Sequence, residues 1–154
     1  MATQFDSKSK DGTIETRLWL EEHDWLHALL KSEKNISPTF RIPDLISACV
    51  SMVFANPDAS ERVFDFLGAH LVLRPSHEPR RHVSMWMPQY DLLLQLQHSP
   101  ANRHPHPNFQ LDQLTTACVA LGRQSDASGE CVLRQARVNM ASRFTRKKEA
   151  QLSS

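Results

Sequence analysis

Arg17 to Ser32 reads RLWLEEHDWLHALLKS, and Ser84 to Ser99 reads SMWMPQYDLLLQLQHS, one pattern written twice at an offset of 67. Trp19, Asp24, Leu26, Leu29 and Ser32 recur as Trp86, Asp91, Leu93, Leu96 and Ser99. After a loop two residues longer in the second copy, Phe40 to Val50 (FRIPDLISACV) aligns with Phe109 to Val119 (FQLDQLTTACV) at an offset of 69. A supersecondary unit this small rarely buries its apolar face alone, so two copies in one chain imply an internal pseudo-dimer.

Each copy opens on period two. Ile14, Leu18 and Leu20, with Thr16 between them, alternate with Thr13, Glu15, Arg17 and Trp19; Val83, Met85 and Met87 alternate with His82, Ser84 and Trp86. Such alternation marks a strand with one buried face. Short helices follow, with apolar stripes at Trp25, Leu26, Leu29 and Leu30 and at Leu92, Leu93 and Leu96. Turn-rich loops lead to Thr39 and Asn108, read as N-caps of second helices that bury Ile42, Leu45, Ile46, Cys49 and Val53, or Leu111, Leu114, Cys118 and Leu121. A third helix is expected from about Asn56-Pro57 to Gly68, and a longer one from near Ser125-Asp126.

The expected organisation is a disordered arm over 1–12, a first repeat over 13–73, a linker over 74–81, a second repeat over 82–144 and a basic disordered tail over 145–154. One strand per repeat makes no sheet, so the two strands should pair antiparallel, placing Arg17 near Ser84, Trp19 near His82 and Glu15 near Trp86. The fold class is mainly α with one two-stranded antiparallel ribbon, the repeats forming one intertwined domain.

Composition narrows the function. The chain has 154 residues, 40% hydrophobic and 23% charged, with a net charge of +1. That is an ordinary globular balance. The polar opening MATQFDSKSKDG lacks a secretory core, and three cysteines in apolar patterns suit a reducing cytoplasm. Charge is uneven: residues 1–73 hold 7 Lys/Arg against 11 Asp/Glu, and residues 74–154 hold 11 against 6. A basic C-terminal stretch with Arg134, Arg137, Arg143, Arg146, Lys147 and Lys148 suits a polyanion partner or a solvated end.

Enzymatic signals are weak. Four glycines leave no phosphate-cradling loop, and no nucleophile constellation emerges, so the expectation is a non-enzyme without cofactor or metal. His23 and His27 are spaced for metal ligation beside Glu22, but the second copy has Tyr90 and Leu94 there, so solvated helix surface is the preferred reading. His104 and His106, with His98 nearby, could chelate adventitious metal, but a proline-rich turn often carries histidine without function. Cys49 and Cys118 read as core residues, and Cys131 also falls in an apolar helical pattern.

The junctions LWLEE and MWMPQ, with the openings TFRIPDL and NFQLDQL, resemble the ribbon-helix-helix family of DNA-binding proteins over roughly residues 13–55 and 80–123. Both copies in one chain resemble its tandem members among accessory proteins of conjugative and T-DNA transfer. The resemblance implies sequence-specific binding of double-stranded DNA by a ribbon in the major groove, as a cytoplasmic repressor or DNA-transfer (relaxosome) accessory factor. Its partners would be DNA and a further copy of the chain on DNA or a transfer-machinery protein, with no membrane involved.

Carried over by position, base contacts fall to Arg17, Trp19, His82, Ser84 and Trp86. Phosphate contacts fall to Thr39, Arg41, Asn108 and Gln110 at the second-helix openings, and to Arg143, Arg146, Lys147 and Lys148 in the tail. Two outward tryptophans and Glu15 depart from the short polar or basic residues usual on such a ribbon. They leave two alternatives open: the tryptophans are covered by another element, or they anchor a protein partner on an adaptor with the same scaffold.

Overall fold

The structure, a computed structural model, describes residues 12–75, 77–102 and 108–153. It is mainly helical with a single two-stranded antiparallel sheet. The elements are β1 (Thr13–Trp19), α1 (Leu20–Leu30), α2 (Ile42–Phe54), α3 (Ala59–Ala69), β2 (Arg80–Trp86), α4 (Met87–Gln97), α5 (Leu111–Ser125) and α6 (Glu130–Ser153). Of the two terminal segments expected to be disordered, 1–11 lies outside the described residues. The other is corrected: 145–153 continues α6, because Arg, Lys, Glu, Ala, Gln and Leu favour helix and no proline or glycine interrupts them.

The strands pair Thr13 with Trp86, Glu15 with Ser84, Arg17 with His82 and Trp19 with Arg80. The register expected from the sequence was two residues off. It began β2 at His82, whereas the strand takes in Arg80 and Arg81 from the expected linker. The observed register pairs both seven-residue strands along their full length, so no ladder group is wasted. Strand propensity is weak enough for a paired neighbour to draw two arginines into the sheet. Backbone bonds close both ends, from Leu20 N–H to the Pro79 carbonyl and from Met87 N–H to the Gly12 carbonyl.

Matched positions of the two copies make matched bonds. Trp19 N–H donates to Thr116 Oγ1 (3.2 Å) and Trp86 N–H to Ser47 Oγ (2.9 Å), each hydroxyl lying on the second helix of the other copy. Asn35 Nδ2 donates to the Leu30 and Phe40 carbonyls, and its Oδ1 accepts from Phe40 N–H. Asn102 does the same with Gln97 and Phe109. These buried amides stitch the first helix of each copy to the opening of the second and absorb the difference in loop length. Period and turn composition do not single them out.

The copies also interlock. Helix α3 lies on α5, with Phe64 stacked 6.2 Å from Phe109, and α6 lies along α2. One apolar core runs through both, from Leu18, Leu45 and Val50 to Met85, Leu114 and Val119. Cys49 and Cys118 sit in it as expected, fully buried. Gly122 lets α5 approach α2 closely: a Cβ there would stand 3.0 Å from Cys49 Sγ.

Candidate functional site

Strand alternation puts Glu15, Arg17, His82 and Ser84 on the sheet face away from the helices. Glu15, Arg17 and His82 are exposed and Ser84 is partly so. On the opposite face Thr16 touches Thr115, while Leu18 and Met85 are fully buried. Four polar side chains in two cross-strand pairs thus form the centre of a solvent-facing ribbon.

The tryptophans do not join them. Trp19 is only 2% exposed. Its cross-strand partner Arg80 stacks its guanidinium 3.9 Å from the ring, and Arg74 lies 5.9 Å away. Trp86 is partly buried, with Arg143 stacked at 4.0 Å and its indole N–H donating to Asp44 Oδ1 at 2.8 Å. Alternation along a strand assigns the side of the sheet, but the ends of that side are roofed by residues distant in sequence. Trp19 is therefore covered rather than presented, which corrects its assignment as a base contact, while Trp86 is partly covered by Arg143.

Two shallow grooves flank the ribbon at matched places. One lies between the ribbon, His23, His27 and Leu30 of α1, and Ile42 and Pro43. The other lies between the ribbon, Tyr90, Leu94 and Gln97 of α4, and Leu111 and Asp112. The second helices open at these grooves, with Arg41 and Gln110 as N-caps, not Thr39 and Asn108. Their backbone N–H groups are held by Asp44 Oδ2 (2.9 Å) and Gln113 Oε1 (2.8 Å), side chains reaching back from the first turn. Thr39, Arg41, Asn108 and Gln110 are all exposed, and Asn108 has φ +61°, a conformation asparagine tolerates better than most residues.

The C-terminal cations divide. Arg143 is largely internal, bonded to Asp44 Oδ1 at 3.1 Å and stacked on Trp86. Burial lowers its pKa; Asp44 opposes that shift, while Arg146 and Arg41 add to it. Arg146, Lys147 and Lys148 are exposed on the continuing helix.

One charged cluster was not legible in the sequence. Glu22 is 1% exposed and accepts both guanidinium N–H groups of Arg74 at 2.7 Å. Glu21 and Glu78 add to it at 3.5 and 3.8 Å. The bond to Glu22 is the main cause raising the Arg74 pKa. Glu22 is therefore committed to the segment joining the copies, not to a metal with His23 and His27, whose rings stack on each other at 5.7 Å. Among the described residues no group of three or more His, Cys, Asp or Glu side chains is placed to hold a metal ion, and His104 and His106 lie outside them. No described helix is long and apolar enough to cross a membrane. Comparison of the chain with family models, curated proteins and solved structures gives no match.

Proposed function

We propose that this chain is a tandem ribbon-helix-helix pseudo-dimer that binds double-stranded DNA with sequence preference, laying β1 and β2 into the major groove. The observation carrying this reading is the polar, solvent-facing centre of the ribbon, Glu15, Arg17, His82 and Ser84, flanked on both sides by a second-helix opening. A two-stranded ribbon fits the major groove, where donor and acceptor patterns distinguish base pairs. Arg17 is suited to a guanine edge, Ser84 and His82 to several bases, and Glu15 to a cytosine amino group. The backbone around Arg41 and Gln110 would take flanking phosphates, which set register rather than sequence choice. The matched Trp–hydroxyl and Asn–backbone bonds support a pseudo-twofold relation between the copies. Glu15 is matched by His82 and Arg17 by Ser84, so the preferred site is an imperfect palindrome.

The cellular role that fits is a cytoplasmic repressor or DNA-transfer accessory factor acting without cofactor or catalysis, alone or with further copies or a transfer protein on the DNA. Selection of binding sites from a random duplex pool, followed by fluorescence anisotropy, tests the reading. Replacing Arg17 by Ala should weaken the selected site by about 1–3 kcal/mol and leave random duplex nearly unchanged. Equal losses on both would deny the ribbon its base-reading role. Failure to retard any duplex even at low salt would defeat DNA binding altogether.

A further inference from the structure

The two ends of the ribbon differ in what flanks them, paired arginines beside Trp19 and the exposed cations of α6 beyond Trp86. At the Trp19 end three guanidinium groups are held by carboxylates, Arg80 by Asp112 at 3.3 Å, Arg74 by Glu22, Glu21 and Glu78, and Arg123 by Glu21 at 3.6 Å, while Arg17 and Arg81 stand exposed on the strands.

At the Trp86 end α6 reaches the ribbon through Arg143, which stacks on the ring of Trp86, the residue paired with Thr13. Asp44 answers Arg143. Arg146 follows one turn on, exposed, with Lys147 and Lys148 behind it. Arg143 and Arg146 line an open groove between α6 and the start of α4, together with Pro88, Gln89, Ser142 and Thr145. Two hydroxyls and an exposed guanidinium suit a phosphodiester oxygen, beside the Gln89 amide that donates to Ser51 Oγ, with bonds to an ionised acceptor the stronger kind. The matching start of α1 carries Glu21, held by Arg74 and Arg123, and Glu22, buried against Arg74, so it offers that group no donor.

We propose that the groove between α4 and α6 holds a backbone phosphate of the bound duplex just outside the ribbon's footprint, so that the chain sits on DNA in one orientation. The inference rests on the DNA-binding reading above. A seven-residue strand spans roughly 20 Å, about twice the screening length near 0.1 M salt, so the two ends act on DNA separately. The exposed cations of α6 lie over continuing duplex at the Trp86 end.

Hydroxyl-radical footprinting and salt titration on a selected duplex test this with the wild-type chain, Arg146→Ala and, as the control at the other end, Arg123→Ala. Protection should extend further on one side of the site. Arg146→Ala should shorten that side and reduce the slope of log K against log salt by about 0.9, while melting at the wild-type temperature. Arg123→Ala should leave both the footprint and the slope unchanged. A symmetric wild-type footprint, or an unchanged slope in Arg146→Ala, overturns the proposal while leaving the ribbon reading intact. Loss of duplex binding by the wild-type chain would instead show the underlying reading to be wrong, and this inference with it.

Discussion

Replacing Asn102 by Ala should cost about 3 kcal/mol of folding stability, and replacing Asn35 should cost nearly the same. Each amide makes three bonds of 2.7–3.0 Å to main-chain groups, and Asn102 is fully buried. A protein hydrogen bond contributes about 1 kcal/mol net, and stranding its buried partner costs about 1–3 kcal/mol. Alanine leaves the Phe109 N–H and carbonyl without this partner in a turn that no helix ladder can satisfy. For a domain of this size about 3 kcal/mol corresponds to a fall in Tm of roughly 6–12 °C. Urea unfolding at 25 °C, with the slope m compared between variants, measures the loss directly. Asn102→Asp is the discriminating control: it keeps the acceptor for Phe109 N–H but faces two carbonyls with a carboxylate, so it should not rescue. Losses below about 1 kcal/mol at either position, or rescue by Asp, would refute the claim that these side chains hold the first helix of each copy to the second.

Gly129 has φ +81°, and a Cβ there would lie 2.5 Å from Leu29 Cδ1, so Gly129→Ala should destabilise by more than the roughly 1–2 kcal/mol of left-handed strain; calorimetry checks this. Glu22→Ala removes the two shortest bonds of Arg74 and leaves it Glu21 and Glu78 at 3.5 and 3.8 Å, so it should cost about 1–3 kcal/mol, whereas exposed Glu21→Ala should cost well under 1 kcal/mol in the same melts. Burial pushes the Cys49 thiol up to about 12 and Cys118 higher still, so both stay neutral at pH 8. A thiol reagent at that pH should modify at most Cys131 in the native chain and all three cysteines after unfolding; rapid native modification of more than one would contradict their burial.

The sequence by itself determined the repetition, the helical stripes and the side of the sheet on which each strand residue stands. Repeats, period two and the helical period are local patterns, and Ile14, Thr16, Leu18, Val83 and Met85 declared their face without reference to anything distant. Arg17, Glu15, His82 and Ser84 were legible as the outward residues for the same reason. Only the tertiary structure decided which of those outward positions remain open to solvent. Arg80 covers Trp19 and Arg143 covers Trp86 through stacking between residues 61 and 57 positions apart. Arg74 claims Glu22 across 52 positions. Register, too, was tertiary: pairing along the whole strand drew in Arg80 and Arg81, which carry no strand signature of their own. Periodicity reports what a residue's own element does with it, whereas a cation settling over a ring depends on where two separate elements meet.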